Sequence, residues 1–95
     1  MSEKQALPQS ALELIDFPSR FPLKVFGTKS KHLEVEVLDL VKARCLADEK
    51  IEVSSRESKN GKYVALTLTF TAYSKTQLED IYQDLYDCKQ VVMTL

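Results

Sequence analysis

The chain has one histidine and two cysteines, and this scarcity removes several kinds of chemistry. His32 has no second imidazole to work with, so no histidine pair or histidine-based metal cluster can be built. Cys45 and Cys88 form no CxxC pair and have no histidine beside them, which argues against a zinc site and against a disulfide framework. No apolar run approaches the length of a signal core or a membrane span. The expectation is a cytoplasmic protein with no membrane partner. A formal net charge of −1 gives no general attraction to nucleic acid or to an anionic surface. No repeat, low-complexity stretch or interdomain linker is present.

What is present reads as one small domain. Ninety-five residues, 44% of them apolar and 28% charged, suit a modest core without covalent staples. Residues 1–9 have no periodicity and include Pro8, so they are expected to form a disordered tail, with a single domain over 10–95. Ser10-x-x-Glu13 has the spacing of a capping box, and Phe17-Pro18 should end the short turn it starts.

Phe21 to Phe26 reads as a first strand, with Phe21, Leu23 and Val25 on one face and Lys24 and Phe26 on the other. Pro22 suits only a position near the strand's start, and Gly27 should end it. Thr28 or Ser30 is then placed to cap a helix in which Leu33, Val37, Leu40 and Val41 share one face. Ser74-x-x-Gln77 starts a second helix, with Leu78, Ile81, Tyr82 and Leu85 on its apolar face. Val91 to Leu95 reads as a last strand.

Between the helices, two strand-like runs meet at Asn60-Gly61. A two-residue loop there predicts a type I′ turn pairing Lys59 with Lys62. Counting back pairs Val53 with Leu68 and Ile51 with Phe70, so four apolar side chains share one face. A slip of one residue would set apolar side chains against polar ones.

The order β-α-β-β-α-β is that of the ferredoxin-like split βαβ fold. It predicts an α+β domain, a four-stranded antiparallel sheet in the order 4-1-3-2 with both helices on one face. The core face should hold Leu23, Val25, Ile51, Val53, Leu66, Leu68, Phe70, Val91 and Met93. The open face should hold Lys24, Phe26, Ala65, Thr67, Thr69, Val92 and Thr94. That open face, or the apolar edge strand at the C-terminus, is where a homo-oligomer would form.

This topology brings three connections to one end, carrying Lys29, Lys31, His32, Lys59, Lys62 and Lys89. The acidic residues of the second helix, Glu79, Asp80, Asp84 and Asp87, are expected on its outer side. The near-neutral total therefore hides a basic end at the start of the first helix. Backbone N–H groups there, with Gly27, Thr28 and Ser30, could hold a carboxylate or phosphate. The candidate ligand-binding set is Lys24, Gly27, Thr28, Lys29, Ser30, Lys31, His32, Lys59 and Lys62. Loop lysines are also common as plain solvated surface, and a lone strand lysine such as Lys24 commonly snorkels to water.

Catalytic signals are missing. The loop Gly27-Thr28-Lys29-Ser30 has neither the cysteines of metal chaperones nor the arginine of acylphosphatases that share the topology. The outward positions of the third strand are threonines and Ala65, not the base-stacking aromatics of RNA-recognition domains. No nucleophile, base and orienting group can be combined, so no catalytic residue, metal or cofactor is assigned.

Phe17-Pro18-x-x-Phe21-x-x-Lys24-x-x-Gly27, the serine-rich strand leading to Gly61-x-Tyr63, and Ile81-Tyr82-x-x-Leu85 before a valine-rich C-terminus resemble the YbeD-like proteins of bacteria. The resemblance covers residues 10 to 95. It implies an ACT-like fold, a type that often binds amino acids at oligomer interfaces, and a regulatory role expressed in the family description lipoate regulatory protein. It supplies no catalytic residues. The expectation is a non-enzymatic regulatory or interaction module that senses a small anionic metabolite or docks on a metabolic enzyme. A nucleic-acid-binding module using the same basic end is the alternative.

Overall fold

The computed structural model describes residues 15–94. The expected tail over 1–9 and the capping box at Ser10 lie outside the described residues. The elements run β1 (Ser19–Thr28), α1 (Leu33–Lys42), β2 (Glu52–Glu57), β3 (Tyr63–Ala72), α2 (Lys75–Tyr86) and β4 (Val91–Thr94). The sheet order is β2-β3-β1-β4 with antiparallel neighbours. That is the expected 4-1-3-2 order read from the other edge, and the ferredoxin-like α+β fold. Leu33, Val37 and Val41 of α1 and Leu78, Ile81, Tyr82 and Leu85 of α2 join Leu23, Val25, Leu66, Leu68 and Phe70 of the sheet in one core.

β1 is longer than the sequence suggested. It pairs with β3 from Ser19 opposite Ala72 to Thr28 opposite Tyr63, so Gly27 lies inside the strand. Gly27 is required there by contact. A Cβ on it would come within 2.6 Å of the Gln90 carbonyl oxygen and 2.7 Å of Leu33 Cδ1. Pro22 is tolerated for a different reason. The Ser58 N–H to Tyr63 O bond sets the alternation along β3, which turns the Pro22 nitrogen away from that strand. It faces the edge where β4 pairs only with Val25 to Gly27.

The hairpin has the expected register but not the expected turn. Val53 pairs with Leu68 and Ser54 with Thr67, while Ile51 sits one residue before the ladder, partly buried against the core. Asn60 does not adopt positive φ; only Gly61 does, at 71°. Gly61 N–H donates to Ser58 O and Ser58 N–H to Tyr63 O, so the loop spans Lys59 to Lys62 around an unprimed β-turn. Asn60 Oδ1 accepts from Lys62 N–H and Ser58 Oγ. The pairing survives because a symmetric four-residue loop leaves the same residues opposite each other as the two-residue loop would. The strand faces, rather than the turn, fix it.

Two further expectations are corrected. In β4 the register shifts by one between Phe26 opposite Met93 and Gly27 opposite Val91. This bulge reverses the faces beyond Val92. Thr94 is buried beside Val25, and Met93 lies on the open face with Phe26. The start of α1 is the other. Its N-cap is His32, with no side-chain cap; Ser30 Oγ instead accepts from His32 N–H within the preceding turn. Thr28 belongs to β1. α2 starts as expected, with Ser74 Oγ accepting from Gln77 N–H at 3.0 Å. The Gln77 side chain reaches back to Tyr73 N–H at 2.7 Å, one residue earlier than a standard capping box.

Candidate functional site

The three basic connections do meet, and main-chain bonds tie them together. Thr28 N–H donates to Gln90 O at 3.0 Å, and Lys29 N–H to Lys62 O at 2.9 Å. The loop after β1, the hairpin tip and the loop before β4 thereby form one surface. Lys31, His32, Lys59, Lys62 and Lys89 are exposed on it, and none of these lysines has an ion pair among the described residues. Lys29 is the exception, with its Nζ 3.0 Å from Glu57 Oε1. A hollow of about 310 Å³ opens between α1 and β2, lined by Lys29, Ser30 and Lys31 together with Glu34 and Glu57.

Several backbone donors of this end are engaged. Thr28 and Lys29 N–H bond the neighbouring loops, His32 N–H bonds Ser30 Oγ, and Leu33 N–H bonds Ser30 O. Those four N–H groups are therefore taken, whereas Lys31, Lys59 and Lys62 present their side chains to solvent. Gly27 is buried and serves the close approach of α1 and Gln90. Lys24 stands apart, exposed at mid-strand on the open face opposite Thr67.

The larger cavity is one the sequence reading did not single out. A groove of about 560 Å³ runs between the helices, lined by Glu36, Asp39, Leu40 and Ala43 of α1 and its end, and by Asp84, Asp87 and Cys88 of α2 and its end. The α1 residues fall at i, i+3, i+4 and i+7, one stripe of a helix, and the α2 residues at i, i+3 and i+4. This periodicity was available as a signal. The acidic residues Asp84 and Asp87, expected on the outer side of α2, turn toward α1 instead.

Among the described residues, Arg44, Cys45 and Tyr82 have displaced proton affinities. Hydrogen bonding and charge from Asp84 raise Arg44 above the ordinary arginine value, with Nε–Oδ2 at 2.8 Å. Burial raises the Cys45 thiol, helped by the charge of Glu49 and opposed by a hydrogen bond from Gln77. Burial also raises the Tyr82 phenol. None of the three lies at the basic end. Among the described residues, no group of three histidine, cysteine or carboxylate side chains could hold a metal ion, and no helix is long and apolar enough to cross a membrane.

Residues 12–95 match the family model described as a protein of unknown function, DUF493. The chain belongs to the DUF493 family. Related UPF0250 proteins include one from Nitrosomonas europaea, 38% identical over 82 residues that cover 86% of this chain and 94% of the relative. Another, from Chromobacterium violaceum, is 39% identical over 83 residues, covering 87% and 93%. The YbeD-like resemblance agrees with this assignment. The solution structure of protein HP0495 from H. pylori superimposes with a TM-score of 0.72 over 95% of this chain and 96% of that one. At 17% identity it supports the fold alone. The DUF493 match spans both the basic end and the interhelical groove.

Proposed function

We propose that this DUF493 protein is a non-enzymatic regulatory or interaction module that engages an anionic partner at its basic end. The partner is a small anionic metabolite or an acidic patch on a metabolic enzyme. The observation that carries this reading is the cluster of Lys31, Lys59, Lys62 and Lys89, exposed and, among the described residues, without ion pairs on a surface tied by main-chain bonds. Such a surface presents charge at low cost in rearrangement, because the loops beneath it are already ordered against one another. The mixed charge of the adjacent hollow, with Glu34 and Glu57 beside Lys29 and Lys31, favours a ligand that carries both an anionic group and a cationic one.

Amide-shift titrations with amino acids, lipoate and phosphate compounds test the metabolite version. Shifts are expected across Thr28 to His32 and Lys59 to Lys62, and they should be lost in a Lys59→Ala/Lys62→Ala double variant. A flat response would remove the metabolite version and leave protein docking. A nucleic-acid role for the same end predicts binding of single-stranded RNA at low salt that weakens steeply as salt rises. On the open sheet face Phe26 and the exposed Tyr63 line one hollow with Arg56, while the central β3 positions Ala65, Thr67 and Thr69 offer no aromatic. The basic end would have to carry most of that binding.

A further inference from the structure

We propose that the groove between α1 and α2 is a docking site for a cationic amphipathic helix of a partner protein. The groove has two parts. Its floor is apolar, with half-buried Leu40 and the small side chain of Ala43. Its rim is acidic, with Glu36 and Asp39 on one wall and Asp84 and Asp87 on the other.

The charge on the rim is largely uncompensated. Arg44 is turned to Asp84, at 2.8 Å, and Asp80, at 3.8 Å. Among the described residues, the donors to Glu36 are neutral, Gln90 Nε2 at 2.9 Å and Cys88 Sγ at 3.5 Å. Asp87 likewise accepts from the Gln83 amide. Among the described residues, Glu36, Asp39 and Asp87 have no ion pair. An occupant that brings lysine or arginine to the rim and an aliphatic side chain to the floor complements both parts.

The walls decide the backbone conformation of that occupant. Both are helices, whose main-chain groups are bonded internally, so neither offers an edge to an extended chain. An extended segment would leave its own N–H and C=O groups unpaired in the groove. A helix satisfies those groups itself and presents one apolar stripe flanked by charge, the helix-in-groove mode of recognition.

The test uses a synthetic amphipathic peptide of leucine and lysine at helical spacing, and its leucine–glutamate counterpart, titrated into the full chain. The lysine peptide is expected to move the amides of Leu40, Ala43, Asp84 and Cys88, and the glutamate peptide to leave them in place. An Asp39→Asn/Asp87→Asn variant should weaken binding by about tenfold. An Asp16→Asn/Asp48→Asn variant makes the same change in charge at exposed positions outside the groove and should bind as the parent does. Ala43→Trp, at an exposed position, should fill the floor and block binding.

Equal weakening by the two double variants, or shifts spread over the whole acidic surface, would overturn the proposal. So would concentration-dependent shifts at these four residues without peptide, which would assign the groove to a second copy of the chain. Binding that survives in Lys59→Ala/Lys62→Ala keeps this result separate from the fate of the basic end.

Discussion

The two ends of the sheet are held together by different means. At the basic end the connections are fastened by main-chain bonds, Thr28 N–H to Gln90 O and Lys29 N–H to Lys62 O. Ser30, Ser58 and Asn60 bond locally there, while among the described residues Lys31, Lys59, Lys62 and Lys89 have no ion pair. At the far end side chains do the fastening. Glu49, with its side chain only 8% exposed, accepts from Arg20 Nη1 at 3.1 Å and from Thr71 N–H at 3.3 Å. Arg20 also reaches Glu52 and the Thr69 carbonyl oxygen. Glu49 stands where the β2 ladder has stopped, at Glu52 opposite Thr69, and takes the place of a strand partner for Thr71. Polar side chains used as fasteners are not available for recognition. Under the proposed function, the contrast gives one end to structure and the other to binding.

Substitutions sharpen or break this contrast. The largest effect is expected from Gly27→Ala, because the added Cβ meets a carbonyl oxygen that belongs to the main-chain fastening itself. A loss of roughly 3 kcal/mol is expected in urea unfolding, at the upper end of typical overpacking. A near-neutral result would mean that the basic end can shift as a whole. Glu49→Ala comes next, at about 2 kcal/mol, since it leaves the part-buried Thr71 N–H without its acceptor and takes one of several partners from Arg20. If it costs no more than an exposed surface change, the far end is not fastened as described.

Ser74→Ala should cost about 1 kcal/mol through loss of the α2 cap. Ser30→Ala should cost less, because α1 has no side-chain cap to lose. The smallest change is expected from Lys59→Ala/Lys62→Ala, within about 0.5 kcal/mol in stability, while anion binding falls. A large loss of stability there would show these lysines to be fasteners after all.

Much of the fold was legible in the sequence, and for a physical reason. Alternation along β3 and the 3.6-residue stripes of both helices report burial directly, and burial decides which face meets which. Hence the topology, the β2–β3 register and the apolar faces of α1 and α2 emerged from pattern alone. Local geometry was less accessible. Asn60-Gly61 suits a two-residue turn, yet the Ser58 and Asn60 side chains stabilise a four-residue one. Val91-Val92-Met93 gives no hint of a bulge, because three apolar residues in a row look alike on either face. Gly27 was noticed as a strand stop, whereas its role depends on Leu33 and Gln90, which only the tertiary structure brings near.

For the candidate sites, the convergence of loops followed from topology. The engagement of their backbone donors and the pairing of Lys29 with Glu57 did not. The interhelical groove was written in the spacing of Glu36, Asp39, Leu40 and Ala43, but its significance depends on how closely α2 approaches.

The hairpin tip has a practical consequence. The pairing of β2 with β3 follows the strands' own faces, and loops of two and of four residues give the same partners, so the tip should accept foreign sequence. A short epitope or reporter peptide inserted between Lys59 and Gly61 should be displayed beside the basic end without shifting a single rung of the ladder. The same chain could then report on its own occupancy: any partner that covers the lysines would also shield the insert from an antibody or a protease.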